Sequence, residues 1–170
     1  SKANIENLVQ TGIDQGASLV VDGRGFKLQG YEDGFFVGAH LFDNVTTDMD
    51  IYKKEIFGPV LSTVRAKTYE EAIQMAIDHE YGNGTSIFTR DGDTARDFSN
   101  RINIGMVGVN VPIPVPLAYH TFGGWKKSMF GDLNQHGPDA FKFFTRTKTI
   151  TSRWPSGIKE GGEFSIPVME

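Results

Sequence analysis

Ile5, Leu8, Val9 and Ile13 follow the i, i+3, i+4, i+8 spacing of one helical face, and Gly16 stands where such a helix would end. Residues 18–21 are a short apolar run closed by Asp22-Gly23, so a helix, a turn and a strand open the chain. Residues 22–34 are rich in glycine and charge and predict a surface loop. The run at 34–42 is apolar and suits a buried strand. Residues 43–54 are polar, with a short helix at 51–54, and 60–66 suit the next strand.

The clearest helix follows. Thr68 can be its N-cap and Glu71 its third residue, the spacing of a capping box, with Tyr69, Ala72, Ile73, Ala76 and Ile77 on one face and Gly82-Asn83-Gly84 as the stop. Residues 85–89 read as a strand, 91–102 as a helix with Ala95, Phe98 and Ile102 inward, and 105–110 as a strand. Strand–helix–strand–helix–strand is the signature of a parallel sheet with helical crossovers, an α/β class.

The pattern breaks at Val111-Pro112-Ile113-Pro114-Val115-Pro116. Proline neither donates to a ladder nor continues a helix, so this is an extended, stiff loop after a buried strand. Ligands of open α/β sheets bind beyond the carboxyl ends of strands. The loop is therefore a site candidate or a rigid connector. Residues 120–139 form a second long loop, and 141–150, rich in Thr and Phe, suit an edge strand of the kind that pairs with a partner. The stretch 154–170 reads as a tail over a surface. No internal repeat or composition shift marks two independent domains.

Composition narrows the chemistry. The 170 residues carry a net charge of −4, against nucleic-acid binding, and no run is long and apolar enough to span a membrane. The start of the chain does not read as a signal peptide. The absence of cysteine excludes disulfides, thiolate metal sites and a cysteine nucleophile within these residues. The four histidines, His40, His79, His120 and His136, lack ligand spacing, so no metal site is expected. The Gly23-x-Gly25 and Gly82-x-Gly84 pairs do not complete a phosphate loop and read as turns.

The most informative segment is Lys53-Lys54-Glu55-Ile56-Phe57-Gly58-Pro59-Val60. A glutamate can accept from both hydroxyls of a ribose, and Phe57 could pack on a flat ring. Read alone, Glu55 is better given to a surface pair with a neighbouring lysine. Phe122, before Gly123-Gly124, is by itself a core anchor for a tight turn. Lys126 and Lys127 are either a solvated pair or a contact for phosphates.

Four motifs stand in a common order. Glu55 to Val60, Tyr81-Gly82-Asn83-Gly84-Thr85 to Thr89, Gly105 to Asn110, and Phe122-Gly123-Gly124-Trp125-Lys126 resemble segments near the end of aldehyde dehydrogenases, in register from about residue 4 to residue 152. The proline loop Asn110 to Leu117, Phe130-Gly131-Asp132-Leu133-Asn134 and Lys148-Thr149-Ile150-Thr151 are similar to the CoA-acylating methylmalonate-semialdehyde dehydrogenases within that family. The common family pattern of Ser-Gly and Gly-Arg-Glu after the turn is replaced by Ser128-Met129-Phe130-Gly131-Asp132.

The resemblance implies the C-terminal part of the catalytic domain over residues 1–140, a parallel sheet with helical crossovers. It further implies an oligomerisation strand over 141–155 and a tail over 156–170. It implies oxidation of methylmalonate or malonate semialdehyde with NAD, CO2 release and transfer to coenzyme A as propionyl-CoA or acetyl-CoA, as in valine and inositol catabolism. A thiolate attacks the aldehyde, a hydride leaves for the nicotinamide, and the thioester passes to a second thiol. The nucleophilic cysteine and the nucleotide-binding domain are expected upstream, so these residues hold no catalytic group and are expected to be inactive alone. By position Glu55 holds the nicotinamide ribose and Phe57 packs near the nicotinamide. Pro112, Ile113, Pro114 and Phe122 line the substrate tunnel. The expected partners are the upstream domain and further copies in a homo-oligomer. The expected compartment is the cytoplasm, or the mitochondrial matrix in a eukaryote. The alternatives are a part of an ordinary hydrolytic aldehyde dehydrogenase and a non-catalytic oligomerisation or interaction module.

Overall fold

A computed structural model describes residues 1–154; the tail expected over 156–170 lies outside the described residues. The first helix, α1 (Lys2–Asp14), buries Ile5, Val9 and Gly12. Gly12 belongs to the stripe because a Cβ there would lie 2.8 Å from Ile51 Cδ1, so its absence lets the helix sit close to Ile51. The helix ends in a left-handed Gly16 (φ 99°). Gly16 N–H donates to Ile13 O and Ala17 N–H to Gly12 O, the paired bonds of a Schellman cap.

Strand β1 (Ser18–Val21) pairs antiparallel with β2 (His40–Val45), which pairs in parallel with β3 (Val60–Val64). The strand expected at 34–42 therefore starts later. Residues 34–39 form no strand and Phe35 is 90% exposed. Here Gly38 is drawn onto the turn after β1 through a Gly38 N–H bond to Gly23 O of 3.1 Å, so this stretch crosses that turn instead of pairing. The buried positions of β2 are His40, Phe42 and Val45. The short helix α2 (Asp50–Lys53) lies between β2 and β3. Ile5, Val9, Ala17, Phe42, Val45, Met49 and Ile51 form the first core.

Helix α3 (Tyr69–Asp78) starts where the capping pattern puts it. Thr68 Oγ1 accepts from Glu71 N–H at 3.1 Å, while the Glu71 carboxylate reaches one residue further back, to Lys67 N–H at 2.7 Å. The helix stops at Asp78, ahead of the expected glycines, because His79 turns extended (ψ 137°). Tyr81–Gly82, strand β4, follows and leads into β5 (Gly84–Ile87). Helix α4 (Gly92–Arg101), capped by Asp91, crosses over to β6 (Met106–Val109), which lies parallel to β5 from Gly84↔Met106 to Ile87↔Val109. Ile73, Phe98, Ile102 and Ile104 form a second core under this unit. Arg101 ties the two helices, pairing with Glu70 and with Asp97, which also accepts from Tyr69 Oη at 2.9 Å.

The expected parallel sheet with helical crossovers is thus realised in β5–α4–β6 and, without a helical crossover of length, in β2–β3. Strand β3 does not continue the β5–β6 ladder, since β4 is diverted into an antiparallel pairing with β7 (Trp125–Lys126). The C-terminal region differs from expectation. Gly137–Asp139 make a 3₁₀ turn with Pro138 in its first positions, and Ala140–Phe144 form a helix, α5, where a strand was expected from 141. Residues 145–154 form no strand within the described chain.

Phe98 and the Thr68 cap probe the second core at two scales. Phe98→Ala is expected to lower the free energy of unfolding by about 3–5 kcal/mol and Thr68→Ala by about 1 kcal/mol, measured by urea denaturation. Equal effects would show that the α3–α4 layer is not held by its buried aromatic ring.

Candidate functional site

Between α2 and β3 the chain alternates sides. Ile56 packs on the first core, while Glu55 and Phe57 face outward and Phe57 is 84% exposed. The turn is tight because Gly58 lies over α1, where a Cβ would come within 2.5 Å of Ile5 Cδ1. Neither neighbouring lysine pairs with Glu55. Lys53 Nζ donates to Asp48 O at 2.6 Å and Lys54 Nζ to Asp50 at 2.8 Å. The Lys54 bond, helped by the nearby charges of Lys54 and Lys53, holds the Asp50 carboxyl below its ordinary range. Among the described residues Glu55 forms no ion pair, so the surface-pair alternative is not realised. Glu55 lines a cleft of about 450 Å³ together with Tyr52, Lys53, Lys54, Tyr81, Asn83 and Lys127. Phe57 does not line this cleft.

The second set of residues lies at the carboxyl ends of β5 and β6. Asn110, in a left-handed conformation (φ 57°), ends β6. Its side chain exchanges two bonds with the Thr89 backbone: Nδ2 donates to Thr89 O at 3.0 Å and Oδ1 accepts from Thr89 N–H at 2.9 Å. The amide thus acts as one more rung between the two strands. The proline loop springs from this rung. Pro114 is half-buried against β5 and β6, with Cγ 3.3 Å from a Cβ built at Gly84, whereas Pro112 and Ile113 are exposed. The loop leaves the carboxyl end of β6, but Pro114 folds back onto Gly84, the first residue of β5.

Phe122 is half-buried at the head of a left-handed turn, Gly123 (φ 64°) and Gly124 (φ 89°). The turn lies on the start of β6 so closely that a Cβ at Gly105 would fall 2.4 Å from Gly124 N. A Cβ built at Gly124 would lie 3.6 Å from Asn83 Oδ1, so Asn83 borders both this turn and the cleft of Glu55. Phe122 does not line the cleft of Glu55, nor the neighbouring one formed by Thr121, Gly123 and Asn134.

The two lysines after the turn part company. Lys126 Nζ donates to Ala76 O, Ile77 O and His79 O at 3.2, 2.7 and 2.9 Å, closing the carboxyl end of α3. It is neither solvated nor open to a phosphate. Lys127 pairs with Glu80, and each shifts the other, the ammonium upward and the carboxyl downward. The signal for Lys126 was the register Tyr81↔Lys126, which a sequence does not display. No group of three His, Asp or Glu side chains suited to a metal is present among the described residues, and no described helix is long and apolar enough to cross a membrane.

The fold and these motifs define a class. The aldehyde dehydrogenase family matches residues 1–150, and the chain belongs to that family. Within it, the chain is 58% identical over 98% of its length to malonate-semialdehyde dehydrogenase of Pseudomonas aeruginosa, covering 34% of that protein. It is 49% identical over 99% of its length to the bovine mitochondrial methylmalonate-semialdehyde/malonate-semialdehyde dehydrogenase [acylating], covering 31% of it. The crystal structure of a provisionally named methylmalonate-semialdehyde dehydrogenase from Sinorhizobium meliloti complexed with NAD superposes with a TM-score of 0.84. That enzyme is 74% identical, over 94% of this chain and 32% of that one. The chain therefore spans about a third of the length of the relatives it matches.

Lys126→Met should lower stability by about 2–3 kcal/mol, because three helix-end carbonyls lose one charged donor. Lys127→Met, which removes only a solvent-exposed pair, should change it far less. Matched urea titrations of the two variants test this, and equal effects would remove Lys126 from its role as the cap of α3.

Proposed function

We propose that these residues serve an NAD-dependent, CoA-acylating dehydrogenase of malonate or methylmalonate semialdehyde, releasing CO2 and forming acetyl-CoA or propionyl-CoA. The observation that carries the cofactor side is Glu55. Glu55 lines a cleft while the ammonium groups of both adjacent lysines are bound elsewhere, so its oxygens are left to accept from the two hydroxyls of a ribose. The exposed ring of Phe57 fits beside a flat nicotinamide. NAD supplies the hydride acceptor. The chain's own part is to orient the ribose through Glu55 and to wall the aldehyde entrance with Phe122 and the loop at Pro112, Ile113 and Pro114.

The nucleophile is supplied by a cysteine outside these residues, which contain none. The 170 residues alone are therefore inactive in this reading, and the nucleotide-binding domain covers apolar side chains left open here, such as Phe57 and Leu61. The segment 145–154, with Ile150 and Trp154 exposed and no strand partner within the described chain, is left to pair with a second copy in a homo-oligomer. Acylation is supported by the bovine relative's description. The compartment proposed is the bacterial cytoplasm or the mitochondrial matrix.

The test is an assay of NADH formation with malonate semialdehyde, with and without CoA, on the full-length protein that carries this chain. A CoA thioester is the expected product, and free acid as the product would replace this reading by hydrolytic oxidation. The 170 residues alone should form no NADH. Glu55→Gln should raise the KM for NAD about 10-fold; an unchanged KM would remove Glu55 from the ribose site.

A further inference from the structure

Residues 133–137, which follow the Ser128–Asp132 departure from the common family pattern, are built against the turn that carries Phe122. Asn134 is 5% exposed. Its Nδ2 donates to Gly123 O at 3.2 Å, and its Oδ1 accepts from His136 N–H at 3.1 Å. One amide thus holds the turn at one end and its own segment at the other, and reversing the amide would set donor against donor. On the far side, Gly137 (φ 74°) lies on the backbone before Phe122, where a Cβ would fall 3.0 Å from His120 C. The backbone that bears Phe122 is therefore gripped on both flanks.

The ring is gripped as well. Phe122 and His136 stack with centroids 4.1 Å apart and planes 18° from parallel. His136 Nδ1 is buried without a hydrogen-bond partner. No polar bond at that atom sets the imidazole, so the flat face against Phe122 is the contact that its position serves.

We infer that Asn134 and His136 are positioning residues that fix the Phe122 ring at the aldehyde entrance and so set how tightly the semialdehyde is held. The inference rests on the reading of Phe122 as a wall of the substrate tunnel. A ring already held in one orientation loses less freedom when substrate enters, and a misplaced wall weakens binding well away from the reacting atoms. Neither residue touches the cleft of Glu55, so the effect falls on the aldehyde and not on NAD.

The experiment uses the full-length enzyme with malonate semialdehyde and NAD as varied substrates. His136→Ala should raise the KM for semialdehyde about 3–10-fold and leave the KM for NAD within about 2-fold. His136→Phe, which keeps a flat ring, should restore the parent value. His136→Leu, which keeps bulk without a flat face, should behave as His136→Ala and serves if the alanine variant does not fold. Asn134→Ala should move the same KM in the same direction. Because the imidazole acts through Phe122, adding His136→Ala to Phe122→Ala should change nothing further. If His136→Phe and His136→Leu are alike, or if the double variant is additive, the inference is overturned. If Phe122→Ala moves the semialdehyde KM and the His136 variants do not, this inference alone falls. If Phe122→Ala moves nothing, the tunnel reading falls and takes the inference with it.

Discussion

Helix α3 ends at Asp78 with carbonyls that no turn of the helix can satisfy, and two distant parts of the chain meet at this end. From one side Tyr52, in α2, donates its hydroxyl to Met75 O at 3.1 Å and bonds His79 Nε2 through its own carbonyl. From the other, Lys126 brings its ammonium to Ala76, Ile77 and His79. Glu55 stands three residues beyond Tyr52, and the Phe122 turn just before Lys126. One helix end is thus the common footing of the cleft that Glu55 lines and of the left-handed turn, and Lys126 takes its orphan carbonyls. A cation is the suited group there, since the negative end of the helix dipole adds to the hydrogen bonds.

Much of this architecture is visible in residue patterns, and the exceptions have physical causes. Thr68 with Glu71, Asp91 before α4, and Gly16 after α1 are local signals, because a cap is decided within four residues of chain. The apolar run at 34–42 misleads because apolarity reports burial of something and not pairing. Gly38 meeting Gly23 is a tertiary event that no run of residues encodes. The segment from 141 misleads because over five residues Phe141, Phe143 and Phe144 fit a strand period as readily as a helical one, and the 3₁₀ turn at Pro138 decides for a helix.

The site divides in the same way. Glu55, Phe57, Phe122 and the proline loop are picked out as candidates by motif order, and the exposure of Glu55 and Phe57 follows from the alternation around Ile56. The companions that hold them are not legible. Lys126 and Lys127 are neighbours of one type, yet Lys126 closes β7 in a left-handed conformation (φ 55°) and Lys127 already lies in the turn beyond it, so one is sunk into a helix end and the other meets Glu80 in solvent. Asn110, Asn134 and His136 likewise act on groups 11 to 21 residues away or on a facing ring, a relation set by the fold and not by spacing.

The sequence distances of these contacts also impose an order in time. The second core draws on residues 69–107 and closes over short loops, and its parallel strands are joined by a single ten-residue helix. Lys126 reaches back 47 to 50 residues to carbonyls that are aligned only after α3 has formed. The helix and the Gly105 edge must stand before the ammonium and the two glycines have a surface to settle on. Assembly of this chain is therefore expected to run from platform to fitting, with the stacked rings of Phe122 and His136 among the last parts to acquire their shape.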